Sequence, residues 1–112
     1  KETIERVSSR RVNSVLINSS KQLQAKFKHA SDFGVLGNYS KANAGRFSSA
    51  INQHINSAGI RTINGTYRGQ SVIHYLNPST GLNVISNPAG QFISGWRLNP
   101  AQLQNVFKHG GL

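Results

Sequence analysis

The chain has 112 residues, room for one domain with a modest core, and 37% of them are apolar. Thirteen Lys and Arg face three acids, Glu2, Glu5 and Asp32, giving a formal net charge of +10 and a pI of about 11.1. That imbalance points to a polyanionic partner: nucleic acid first, an anionic membrane surface second, an acidic protein third. No apolar run approaches the ~20 residues needed to span a bilayer, and no strongly basic helix carries a bulky apolar face.

The absence of Cys excludes disulfides and thiolate metal sites. Met is also absent, even at position 1, so the chain is expected to be a piece released from something longer. Residues 1–20 read as a helix or as an arm joining residues 21–112 to that parent, with Ile4, Val7, Val12, Val15 and Leu16 roughly at helical spacing. Asn18-Ser19-Ser20 breaks the pattern, and Ser19 or Ser20 caps a helix predicted from about Lys21 to Ala30. On that helix Lys26 and His29 share a face, while Leu23 and Phe27 turn toward a core. Ser31 to Tyr39, with Gly34 and Gly37, reads as loop.

Ser40 is the next N-cap. Phe47, Ala50, Ile51, His54 and Ile55 then form one apolar stripe, and Gly59 is the expected stop. Beyond it come four short β-prone runs, Ile60–Arg68, Ser71–Leu76, Leu82–Ser86 and Gln91–Leu98. Gly69-Gln70, Asn77 to Gly81 and Asn87 to Gly90 separate them as turns, which predicts an antiparallel meander. Asn99-Pro100 opens a last helix with Leu103, Val106 and Phe107 on its apolar face and Gly110-Gly111 at its end. The predicted class is α+β: N-terminal helices, a four-stranded antiparallel β-meander and a short C-terminal helix.

The shortage of acids narrows the chemistry. Metal-dependent nucleases hold their ions with several carboxylates and imidazoles, and no carboxylate side chain occurs from Phe33 to Leu112. A nuclease of this composition is expected to work without metal or other cofactor. That favours RNA, whose own 2′-OH attacks the phosphate once a base removes its proton. His29, between Lys26, Lys28 and Asp32, is the candidate base; lysines steady the charge on the phosphoryl oxygens and favour neutral imidazole. His54, on an apolar stripe, and His74, alternating with Val72 and Leu76, read as structural; His109 reads as a cation suited to a helix C-terminus. Ser94 and Trp96, two apart, share one strand face. Trp96 is either core or a stacking platform, and Tyr67 and Arg68 either contact RNA or decorate a hairpin. A non-catalytic basic RNA-binding module is the alternative to an enzyme.

Five runs occur in an order that resembles the colicin D nuclease family, found among colicins and contact-dependent growth inhibition toxins. They are Lys26-Phe27-Lys28-His29-Ala30, Asp32-Phe33-Gly34, Gly65-Thr66-Tyr67-Arg68, Asn77-Pro78 and Phe92-Ile93-Ser94-Gly95-Trp96, together covering about residues 21–98. The sequence departs from the family pattern at Arg97, where lysine is expected, and in the Leu98–Leu112 tail. The resemblance implies a metal-independent tRNA anticodon nuclease with His29 as general acid/base. It further implies Lys26 and Lys28 at the scissile phosphate, Ser94 bonded to the same phosphate, and Trp96 shaping the pocket or stacking on RNA. It also implies a larger toxin released or displayed by its producer, acting in the cytoplasm of a target bacterium, and an acidic immunity protein covering the active site. Toxins of this sort can use a host elongation factor that delivers tRNA; nothing in these residues demands one.

Overall fold

A computed structural model describes residue 16 and residues 19–112; the N-terminal helix or arm expected from the spacing of Ile4 to Val15 lies outside the described residues. The elements run α1 (Ser20–Ala25), a 3₁₀ helix (Phe27–Phe33), α2 (Lys41–Ile55), β1 (Arg61–Tyr67), β2 (Gln70–Leu76), β3 (Leu82–Ser86), β4 (Phe92–Arg97) and α3 (Pro100–His109). The four strands form one antiparallel sheet in the order β1-β2-β3-β4, the α+β meander that the turn signals predict.

Each hairpin follows from its turn residues. Arg68 and Gly69 both hold positive φ, +52° and +80°, the two-residue turn whose twist suits paired strands. Asn77 closes the second turn by accepting the Ser79 N–H on Oδ1 at 2.9 Å. Asn87 braces the third, bonding Gln91 from backbone and side chain alike. The helices start where their caps stand. Ser40 Oγ accepts from Asn43 N at 3.0 Å. Asn99 and Gln102 form a reciprocal capping box ahead of Pro100.

The sheet separates two cores. On one face Phe47 and Ile51 of α2, both 0% exposed, pack with Leu16, Leu23, Val84 and Phe92. Rings of Phe27, Phe33 and Phe92 surround Phe47 at 5.7–6.0 Å. On the other face Leu76, Leu98 and Val106 form a smaller cluster with Ile63, Trp96 and Leu103 packed against it.

Three expectations need correction. The predicted Lys21–Ala30 helix is α only to Ala25, and the loop predicted from Ser31 begins inside the 3₁₀ helix. The cause is spacing: Phe27, Ala30 and Phe33 fall three apart, and at three residues per turn they line one buried side. At 3.6 per turn they would diverge. The stripe helix stops at Ile55 with Asn56 as C-cap, ahead of Gly59. Phe107 is 47% exposed, its ring lying under the Arg61 guanidinium at 5.6 Å instead of in the core.

His54 and His74 are buried, as structural histidines should be. His54 Nε2 lies 2.8 Å from Tyr75 O, and His74 Nε2 lies 3.1 Å from Thr66 O and 3.0 Å from Gly110 O. Burial pushes both imidazoles below the usual histidine pKa, and the carbonyl bonds only partly counter it. An unfolded imidazole titrates near about 6.5, so below that pH the unfolded chain binds more protons than the folded one. Stability is full above about 6.5 and lost on acidification toward the lower folded values. The melting temperature followed by circular dichroism should fall as pH drops from about 6.5 to about 5; a flat profile across that interval contradicts it.

Candidate active site

The 3₁₀ helix delivers the candidate chemistry. With Phe27, Ala30 and Phe33 turned inward, the row Lys26, His29 and Asp32, also three apart, runs along another side toward β4. Lys26 and His29 thus share a side, as their spacing predicts, but on a different helix type. Asp32 Oδ2 accepts the Arg97 backbone N–H at 3.0 Å, and Asp32 O accepts from the Arg97 guanidinium at 3.5 Å. The Phe33 ring rests on Gly95, where a Cβ would stand 3.0 Å from it. Gln22 of α1 donates its side-chain amide to Ile93 O. The open edge of β4 is thereby covered by the segment that carries His29.

A bulge decides which β4 side chains face the site. Ile85 pairs with Ser94 but Ser86 pairs with Phe92, so Ile93 is the extra residue. Without it Phe92, Ser94 and Trp96 would share a face. With it Phe92 enters the large core while Ser94 and Trp96 occupy the opposite face.

On that opposite face an aromatic row crosses the sheet. The Arg68 guanidinium lies 5.2 Å over the Tyr67 ring, Tyr67 meets Trp96 at 5.9 Å, and Trp96 meets His29 at 5.7 Å with the planes tilted by 32°. Tyr67 and Trp96 rise from the two edge strands and meet across the central pair. Trp96 is also anchored through Nε1–H to Gln102 Oε1 at 3.3 Å, so it serves the smaller core and the site together. Arg68 is the one non-glycine residue among those described with positive φ, a conformation that Asn or Gly adopts more readily. A cation held there is a local cost offset by its position.

Electrostatics tie Lys26, Lys28, His29 and Arg68 together. Burial, then Lys28 and Lys26, lower the His29 pKa, with Asp32 opposing, which favours the neutral ring. Lys26 is lowered by burial, then by Arg68 and Lys28. Among the described residues, no group of three His, Cys, Asp or Glu could hold a metal ion.

Of the seven candidate residues, six converge: Lys26, Lys28, His29, Tyr67, Arg68 and Trp96. Ser94 lies on the same strand face as Trp96 but is only 1% exposed, and its Oγ has no hydrogen-bond partner among the described residues. His54 sits in the large core, away from this face, and His109 is exposed in the last turn of α3. Sequence reading missed a buried polar unit under the site: Asn83 Nδ2 lies 3.1 Å from His74 Nδ1, and both residues are 0% exposed. Its signal was a lone amide inside the apolar run Leu82 to Ile85.

The tail completes the β1 edge. Gly110 O accepts from Thr66 N at 2.8 Å, and Leu112 O from Arg68 N at 3.1 Å. A Cβ on Gly65 would stand 1.9 Å from Gly110 O, so only glycine lets the tail approach there.

Comparison with known proteins agrees with the five-run pattern. Colicin-D of Escherichia coli is 40% identical over 86 residues, which are 73% of this chain and 12% of that protein. A solved ribonuclease from Escherichia coli, complexed with its inhibitor protein, superposes with a TM-score of 0.73 at 34% identity, covering 81% of this chain and 100% of that one. The Colicin D family model matches residues 22–109, and this chain belongs to the Colicin D family.

Proposed function

We propose that this chain is a ribonuclease toxin domain that cuts tRNA, in the anticodon loop, without metal. The observation that carries the reading is His29: an imidazole whose pKa is lowered by burial and by Lys28 and Lys26, with its ring against Trp96. The solved relative is itself a ribonuclease, which supports the class of reaction.

In this reading His29 takes the proton of the substrate 2′-OH, and that oxygen attacks the adjacent phosphorus. The P–O5′ bond breaks, and the imidazolium returns its proton to the leaving oxygen. The products are a 2′,3′-cyclic phosphate and a 5′-hydroxyl. Lys26 and Lys28 stabilise the charge that builds on the phosphoryl oxygens, Ser94 donates to the same phosphate, and Arg68, Tyr67 and Trp96 position the flanking nucleotides. Asp32, the carboxylate among the described residues, is committed to Arg97 N, which supports a mechanism independent of metal.

The domain, residues 21–112 with residues 1–20 as an N-terminal helix or linker arm, belongs in this reading to a larger toxin that acts in the cytoplasm of target bacteria. An acidic immunity protein covers the cationic face in the producer, associating fast and more weakly as salt rises; an elongation factor is an optional further partner. Incubation with total bacterial tRNA should yield discrete 5′-hydroxyl ends at one loop position, unchanged by EDTA. Intact tRNA after long incubation leaves only RNA binding; inhibition by EDTA overturns the metal-free mechanism.

A further inference from the structure

Two buried side-chain atoms on the face of Trp96, Asn83 Oδ1 and Ser94 Oγ, have no hydrogen-bond partner among the described residues. Asn83 lies opposite Trp96 in the β3–β4 register and Ser94 lies opposite Ile85, so both belong to the strip that adjoins His29's ring partner. Buried polar atoms are almost always paired, and two unpaired ones at diagonal positions on one face of β3 and β4 call for a common explanation.

His74 fixes what Asn83 offers. Its Nε2 lies against two carbonyl oxygens, Thr66 O and Gly110 O, which only accept, so Nε2 carries the hydrogen. In the neutral ring Nδ1 is then an acceptor, and Asn83 Nδ2 donates to it at 3.1 Å. The remaining atom, Oδ1, can only accept. Ser94 Oγ has a hydrogen to give. A phosphate oxygen accepts and repels Oδ1, whereas the ribose hydroxyl beside it donates. The pair therefore matches a ribonucleotide, and DNA supplies no donor at that place.

We propose that Asn83 reads the sugar: its Oδ1 accepts a hydrogen bond from the 2′-OH of the nucleotide on the 5′-oxygen side of the phosphate that Ser94 contacts, not from the attacking hydroxyl whose single proton goes to His29. His74, braced by the Gly110 carbonyl, holds the amide in that orientation. The assignment rests on the ribonuclease reading of the site. Both atoms lie below the surface, so the contact requires the side chains above them to move.

The test uses the full chain carrying His29→Ala, which binds without cutting. Its affinity for an anticodon stem-loop RNA is measured by fluorescence anisotropy through a scan of single 2′-deoxy replacements. One replacement should weaken binding about tenfold, the effect of one buried hydrogen bond. In Asn83→Ala and in the better-filled Asn83→Leu, that same replacement should cost less than about twofold. No sensitive position in the scan, or an equal loss with and without the Asn83 amide, overturns the proposal and leaves Asn83 a prop for His74. Cleavage of total tRNA by the unmutated chain is assayed in parallel. If that chain fails to cut while the hydroxyl dependence persists, the activity reading fails and the sugar contact stands.

Discussion

Substitution of His29 by Ala is expected to lower RNA cleavage by about 10²–10⁴-fold, the usual contribution of a positioned general acid/base. The fold should survive it. His29 is only half-buried, and its ring touches one aromatic neighbour, Trp96; Phe27, Ala30 and Phe33 carry the attachment of the 3₁₀ helix to the core. Circular dichroism and the melting temperature should therefore match the unmutated chain while turnover collapses. The pH profile gives a second signature. Burial and the two lysines hold the imidazole below the ordinary histidine value, so the base form is populated at neutral pH. The acidic limb of kcat/KM should have its midpoint below about 6.5. Cleavage that persists in His29→Ala places the base elsewhere.

How far the sequence reaches can be judged at these same residues. The meander was legible because its turns are chemically explicit: Arg68-Gly69, Asn77 to Gly81 and Asn87 to Gly90 each close by local bonds. The last helix was legible at both ends for the same reason, with the Asn99–Gln102 box at its start and Gly110 in the left-handed region at its end. The 3₁₀ helix was not. Its three-residue period exists in the sequence, but nothing local chooses it over an α-helix; the choice is made by Phe47 and Gly95, distant partners that receive Phe27 and Phe33. The Ile93 bulge is equally non-local, set by packing Phe92 on Phe47 while Trp96 packs on the other face. Lys26, Lys28, His29, Ser94 and Trp96 stood out through chemistry and through likeness to a family. The His74–Asn83 unit stayed hidden because its members are nine residues apart on neighbouring strands.

Lys26→Ala should separate catalysis from stability in the opposite direction to a core mutation. The Lys26 ammonium is partly desolvated and stands near Arg68 and Lys28, each of which makes its charge less favourable in the free protein. Its backbone N–H, which caps α1 on Gln22 O at 3.1 Å, is unaffected by truncation of the side chain. Removing it relieves like-charge repulsion, so the melting temperature should stay constant or rise. In the proposed mechanism that charge meets the negative charge that grows on the phosphoryl oxygens in the transition state. We therefore expect kcat to fall by about 10²–10³-fold with little change in KM, as for loss of one preorganised donor. Lys26→Arg, which keeps the charge on a wider head, should recover part of that loss. A rise in KM at constant kcat makes Lys26 a binding residue only. A drop in melting temperature comparable to loss of a buried side chain makes it part of the fold.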